Sequence, residues 1–292
     1  MILGAMTPVL FTYDTKWEGA GACKIRVKDF CQLVKNNSKY TCYDYKVTLD
    51  IDTHDSIIIF NKYSLRVHGP DMLRKLRKQN NKLIADYIDH PVVDENAELF
   101  DLHLASSHVQ YEYCKERGIP VHFVCHNVDD RIQKLKINDT LTPRLRYYGE
   151  TANTFVPPDI DVEIVRIVTS TAEKREWIDS LVDPHIHYCI RRHRDIDGCK
   201  PSSKTYVAAH ANTFVIAEEG CHDNDYYLSD YPFLVRKKGF ATNLKKICEK
   251  AVEAAKSKNH DYKAAMDVMA DVKEQSSDHV IGRQFDEALQ ML

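Results

Sequence analysis

Three arginines, two lysines and a run of small residues crowd the stretch from 191 to 219. Arg191 and Arg192 follow the apolar segment 185–190. Lys200 and Lys204 flank Pro201-Ser202-Ser203, which reads as a helix start. Residues 206–211 continue as a small-residue helix, and 213–217 reads as a short strand running into Glu218 and Glu219. Two strand ends and one helix N-terminus thereby gather four cations. The open N–H groups and positive end of a helix favour an anion, and the full charges of lysine and arginine add to that. The pattern suits a diphosphate. A solvated basic loop without a ligand is the competing reading.

A second group of candidates ends the segment 82–87. Asp86, Asp89 and His90 stand where a parallel sheet places its ligands, beyond the carboxyl ends of its strands. Asp89 and His90 are suited to orienting or deprotonating a hydroxyl; alternatively, Asp89-His90-Pro91 caps the next segment. Four Asp-x-Asp triplets occur, at 50/52, 159/161, 195/197 and 223/225. A divalent ion takes hard oxygen ligands of this kind, and Asp50/Asp52, which follows a strand, is the best placed. With 43 acidic residues in the chain several triplets arise by chance, and no metal site is expected.

These residues need elements to hold them. Apolar segments at 8–13, 45–49, 56–60, 82–87, 102–105 and 121–125 alternate with helical spacing at 24–34, 70–79 and 108–117. Strands apolar throughout and separated by helices imply a parallel sheet covered on both faces. A second series begins after the polar stretch 138–144, with strands at 145–148, 162–168, 185–190, 213–217 and 233–235 and helices at 172–181 and 206–211. Three helical stretches close the chain, at 243–257, 262–273 and 279–292. The expected division is 1–142, 143–265 and a helical tail 266–292.

Composition narrows the function classes. The 292 residues are 43% hydrophobic and 28% charged with a net charge of -3, so no global field recruits nucleic acid. No apolar run approaches the roughly 20 residues of a membrane span. Nine scattered cysteines without a Cys-x-x-Cys pair argue against structural zinc and fit reduced thiols in a cytoplasmic protein.

The order of these motifs resembles the GT-B glycosyltransferases, in particular the large retaining family typified by sucrose and phosphatidylinositol mannosyl transferases. That family carries Glu-Gly-Phe-Gly-x-x-x-x-Glu-Ala-Met-Ala followed by a strand. Here Asp197-Gly198-Cys199-Lys200 opens the loop, Thr205-Tyr206-Val207-Ala208 matches the helix and Phe214-Val215-Ile216 the strand. His126-Asn127-Val128-Asp129 is similar to the family's Asn-Gly-Val-Asp, and Gly19-Ala20-Gly21 to its glycine-rich turn after the first strand. The low glycine and proline counts fit a divergent member, such as a virus-encoded one.

The resemblance implies two Rossmann-like α/β domains with parallel sheets facing a cleft, the C-terminal helices crossing back to the first domain. It also implies transfer of a hexose or deoxyhexose from a UDP- or GDP-linked donor to a glycan or other hydroxyl acceptor, with no separate cofactor. Gly19, Gly21, Arg191, Arg192, Lys200 and Lys204 would hold the diphosphate, and Lys and Arg in place of a metal make the reaction metal-independent. Asp197 stands at the family's first glutamate. Thr205 replaces the second, which holds the ribose, so Glu218 or Glu219 would take over that contact. A sugar-nucleotide epimerase on the same fold and a non-catalytic nucleotide- or sugar-binding module are the alternatives.

Overall fold

The computed structural model describes residues 6–90, 96–168, 174–192, 199–221 and 223–292. In chain order the first elements are β1 (Thr7–Thr12), α1 (Gly21–Cys23), a π-helical segment Lys24–Asp29, α2 (Phe30–Asn37), β2 (Tyr43–Thr48), β3 (Ile57–Asn61), α3 (Lys62–Val67) and α4 (Pro70–Lys78). Then come β4 (Lys82–Asp86), β5 (Leu102–Ala105), α5 (His108–Glu116) and β6 (Val121–Phe123). The second series is α6 (Asp130–Gln133), β7 (Thr142–Gly149), β8 (Val162–Arg166), α7 (Glu176–Asp179), β9 (His185–Tyr188), α8 (Ser203–His210), β10 (Val215–Glu218), α9 (Asn224–Tyr227) and β11 (Leu234–Val235). Helices α10 (Phe240–Ser257), α11 (His260–Gln275) and α12 (Asp278–Leu289) close the chain.

The contacts divide the chain into two compact units. One comprises residues 1–127, 199–201 and 277–292, the other 128–198 and 202–276. Against the expected breaks at 142/143 and 265/266, the observed ones fall at 127/128 and 276/277. Helix α7 is four residues long, shorter than the expected 172–181; residues 169–173 lie outside the described ones. Helix α3 is an element that periodicity did not signal. It starts because the Asn61 side chain accepts the N–H groups of Tyr63 and Ser64, an N-cap that replaces the missing intrahelical bonds.

The first unit holds a sheet in the order β2-β1-β3-β4-β5-β6, the second one in the order β11-β10-β9-β7-β8. Every strand pair is parallel. Each order reverses once, between β1 and β3 and between β7 and β9. Such switch points leave a crevice at the carboxyl ends of the strands. The central strands β3, β5, β9 and β10 are buried at every position, while the edge strands β2 and β8 alternate or open to solvent. Coverage by helices on both faces accounts for the unbroken apolar runs.

Within the first unit α12 packs beside α2 and the sheet. The Phe285 ring lies 5.3 Å from Phe30 and 5.8 Å from Phe11, and Phe11 meets Phe30 edge-on at 5.6 Å. A Cβ on Gly282 would come within 2.5 Å of the Asn37 Cβ, so only glycine lets α12 approach α2 this closely. Asp286, buried, accepts from the Ser38 hydroxyl and the Lys39 N–H. No helix among the described residues is long and apolar enough to cross a membrane.

The aromatic cluster gives a test of how α12 is held. Phe285→Ala removes a fully buried ring and should lower the unfolding free energy by about 3–5 kcal/mol. Urea denaturation should show a transition at lower denaturant with an unchanged slope; a change under about 1 kcal/mol would mean α12 contributes little to the first unit.

Candidate functional site

The second sheet delivers its strand ends to one edge, and Lys204 is at the centre of it. Lys204 lies in the first turn of α8, which follows β9 and leads into β10. Its ammonium donates to the Tyr148 carbonyl at 2.6 Å and lies 3.6 Å from the centroid of the Tyr147 ring. The charge is thus pinned beside the end of β7, at the switch point. Gly149 makes the room. It has φ +146, and a Cβ there would lie 2.8 Å from the Tyr147 hydroxyl oxygen and 3.0 Å from Lys204 Nζ. Any other residue would be strained and would push the ammonium away.

Arg191 follows β9 and is buried. The loop after β7 folds onto it: Thr154 bridges Arg191, and the Thr154 hydroxyl donates to the Ile190 carbonyl at 2.9 Å. The Arg192 N–H donates to the Asn153 carbonyl and its side chain is exposed. Two of the four expected cations, Lys204 and Arg191, therefore lie in or against packed backbone, and one faces solvent.

Lys200 belongs to the first unit. The short stretch 199–201 is tied there by the Ser107 hydroxyl, which donates to the Cys199 carbonyl at 2.7 Å. The charge of Lys200 acts on Asp89. Asp197 lies outside the described residues, as does the 195/197 triplet.

The two glutamates after β10 divide their roles. The Glu218 carboxyl is buried and accepts from the Cys221 thiol at 2.8 Å. The Glu218 carbonyl accepts from the Asn224 side chain, which in turn accepts from the Ser202 hydroxyl at 3.1 Å. This chain ties the end of β10 to the start of α8. Glu219 points outward, accepts from the Lys237 N–H at 2.9 Å and pairs with Arg236; these bonds hold its carboxyl below the usual range. Glu218, Glu219, Gly220, Val235, Lys237 and Phe240 line a hollow of about 360 Å³ at this edge. Its mix of carboxylate, ammonium and aromatic ring suits the polar and flat parts of a nucleoside.

A larger hollow of about 610 Å³ lies at the other end of β7 and β8, against α10. Asp159, Asp161, Glu163, Glu249 and Glu253 line it against three cations. That excess of negative charge disfavours a diphosphate. The 159/161 triplet lies here, with Asp159 paired to Lys245 at 3.0 Å. The 50/52 triplet is exposed; Asp52 pairs with Lys75 at 3.1 Å and Asp50 accepts the Asp52 N–H. In the remaining triplet Asp223 takes a left-handed backbone and Asp225 accepts from the Gly220 N–H.

The first unit has its own strand-end cluster. Asp89 forms an ion pair with Lys62, which follows β3. Burial pushes the Asp89 carboxyl up, but the charges of Lys62 and Lys200 outweigh it and hold the group below its usual value. An ionised carboxylate of this kind accepts a hydrogen bond from a hydroxyl better than it removes a proton at neutral pH. His90 donates its N–H to the Tyr87 carbonyl, and its own carbonyl accepts from Gln110. Between Asp86 and Asp89, Ile88 is buried with φ +61, strained for a β-branched residue and of the sort that collects at functional sites. His126 is buried and its Nδ1 shares a hydrogen with the Asn127 carbonyl at 2.8 Å. Burial and the nearby Arg26 charge push it down to about 4, so the ring is neutral with the lone pair on Nε2. Gly19 has open space where a Cβ would stand, and Gly21 begins α1.

Sequence spacing missed Lys62, Tyr147 and Arg26. Arg26 is fully buried in the π-helical segment. It pairs with Asp86 at 2.8 Å, donates to the carbonyls of Cys125 and Val124, and stacks over Phe30 at 4.2 Å. Burial dominates and raises the Asp86 carboxyl. Lys62 had a readable signal, since it directly follows a strand; Arg26 had none.

No protein-family profile matches this sequence, and no curated protein matches it at a significant level. The fold does match solved structures. Anabaena Alr3699/HepE in complex with UDP superposes with a TM-score of 0.56 at 10% identity, covering 98% of this chain and 100% of that one. The same protein in complex with UDP-glucose gives 0.54 at 11% identity, with the same coverage. The GtfA/B complex gives 0.52 at 10% identity over 82% of this chain; the match spans 57% of that chain's length. The fold is that of the GT-B glycosyltransferases, with two Rossmann-like parallel sheets.

His187, on β9, reports on the electrostatics of this edge. Burial and the Lys204 charge push it down to about 3, and its ring lies 4.7 Å from Tyr148. An unfolded histidine takes up its proton near pH 6.5. Between that pH and about 3 the unfolded chain binds the extra proton, so stability falls as pH falls, by up to about 1.4 kcal/mol per pH unit. His187→Leu should flatten this loss between pH 6.5 and 4 in denaturation curves. An unchanged slope would show that the folded ring protonates normally.

Proposed function

We propose that this protein is a glycosyltransferase that takes a sugar from a UDP- or GDP-linked donor and passes it to a hydroxyl of a glycan or similar acceptor. The observation that carries the reading is the ammonium of Lys204, pinned at the switch point of the second sheet by the Tyr148 carbonyl and the Tyr147 ring. Support comes from the fold it shares with a protein solved with UDP and with UDP-glucose.

The chemistry follows from charge. As the bond from the anomeric carbon to the diphosphate breaks, negative charge builds on the departing oxygens. Fixed cations and N–H dipoles at that place stabilise the transition state more than the ground state. Lys204 supplies a positioned ammonium, Arg191 a guanidinium suited to two phosphate oxygens, and the start of α8 its open N–H groups. Glu218, Glu219 and the hollow beside them take the nucleoside, the outward carboxylate of Glu219 accepting from a ribose hydroxyl. In the first unit, by itself, Asp89 paired with Lys62 is suited to accept from a hydroxyl, and Gly19 leaves open space beside the backbone. His90 and Arg192 contribute at the margins.

Incubation with a panel of sugar nucleotides, with and without glycan acceptors, should release nucleoside diphosphate and yield a glycosylated product only when the acceptor is present. Lys204→Met, which keeps the apolar stem, should weaken nucleotide affinity and turnover by about one to two powers of ten, as expected for a charge-assisted contact of about 1.5–3 kcal/mol. The exposed Lys258→Ala serves as control. Effects of Lys204→Met within about twofold on both quantities would remove the donor from this edge.

A further inference from the structure

Strand β2 is the outer edge of the first sheet, and its charges are arranged to pair with themselves. In the parallel register with β1, Thr7 opposes Tyr43 and the Thr7 N–H donates to the Cys42 carbonyl at 2.8 Å. Backbone groups alternate in direction along a strand. Residues 42, 44 and 46 therefore bond to β1, and Tyr43, Tyr45 and Val47 turn their N–H and C=O groups outward. No bulge or proline interrupts this edge. Natural edges are protected by such devices, whereas the opposite edge strand β6 has only three residues.

We infer that two copies of this chain associate through antiparallel pairing of their β2 strands about a two-fold axis at Tyr45. In that register Tyr45 pairs with its own symmetry mate, and Tyr43 pairs with the partner's Val47. All three outward residues exchange both backbone groups. Asp44 then stands opposite the partner's Lys46, in the non-hydrogen-bonded positions where side chains come closest. Asp44 and Lys46 already share one face and form an ion pair within the chain; the two-fold axis turns them into a ring of four alternating charges.

Other axes fail. An axis at Asp44 sets Asp44 against itself, and one at Lys46 sets Lys46 against itself. An axis at Tyr43 leaves the charges facing Cys42 and Tyr40, and one at Val47 sets Lys46 against Thr48 and Asp44 against the like charge of Asp50. Among the axes from Tyr43 to Val47, only the one at Tyr45 brings unlike charges together, which is the self-complementarity a two-fold interface requires. The pairing would also cover apolar surface at the end of β2. Val47 is 37% exposed and Leu49, just beyond the strand, 50%, and the partner's Tyr43 would lie across Val47, an aromatic and β-branched pair of the kind that stabilises cross-strand contacts.

Sedimentation of the full chain tests this at concentrations up to about 100 µM, which reaches micromolar association. The expected species is a dimer of twice the 33.7 kDa chain. Asp44→Lys and Lys46→Asp should each weaken association at least about tenfold, since each sets like charges opposite one another. An equimolar mixture of the two variants should restore the dimer, because opposite charges then face across the pair. Nucleotide affinity should be unchanged in both. A monomeric wild type, a dimer indifferent to either substitution, or a mixture that stays monomeric would overturn the proposal.

Discussion

Parallel strands set the terms for everything else in this protein. A parallel neighbour cannot be reached by a tight turn, so each strand must be followed by a crossover, and the crossovers cover both faces. Three consequences follow. The central strands become buried from end to end, as in β3 and β10. The segments leaving the strands collect at one edge of each sheet. Where the order of strands reverses, two neighbouring crossovers leave to opposite faces and open a crevice. Polar side chains at that edge escape the packing that fills the rest of the sheet.

Lys204 shows how a charge is fixed at the crevice. A lysine in the first turn of a helix opposes the positive helix end and is locally unfavourable. Here the Tyr148 carbonyl and the Tyr147 ring compensate, and Gly149 leaves the necessary space. The bonds from Ser202 through Asn224 to the Glu218 carbonyl fix the start of α8 against the end of β10. In the proposed reaction the ammonium is held before any ligand arrives, so little reorganisation would oppose its action on a departing diphosphate.

Much of this was legible in the sequence. The apolar runs 82–87, 102–105 and 213–217 correspond to β4, β5 and β10, because a doubly covered strand needs no alternation. Placing Asp89 and Glu218 near strand ends followed from those runs, and placing Lys204 at a helix start followed from Pro201-Ser202-Ser203. What spacing could not supply is contact between distant residues. Arg26 and Asp86 are 60 positions apart, Lys204 and Tyr148 are 56 apart, and neither pairing leaves a local pattern. Helix α3 was hidden because its start depends on one capping side chain, Asn61, rather than on a periodic apolar face. Lys200 illustrates a different limit. Proximity in sequence grouped it with Lys204, but the Ser107 bond to Cys199 draws residues 199–201 into the first unit's packing.

The account rests on where a nucleoside diphosphate binds, and amide hydrogen exchange with UDP or GDP measures that directly. Backbone amides that bond phosphate oxygens, or that lie beneath a bound nucleoside, exchange more slowly in proportion to occupancy. Binding at the switch point should protect peptides covering Gly149–Thr151, Ser202–Tyr206 and Glu218–Cys221 in the wild-type chain. Protection confined to the acidic hollow around Asp159–Glu163 and α10, or no protection at either place at saturating nucleotide, would contradict it.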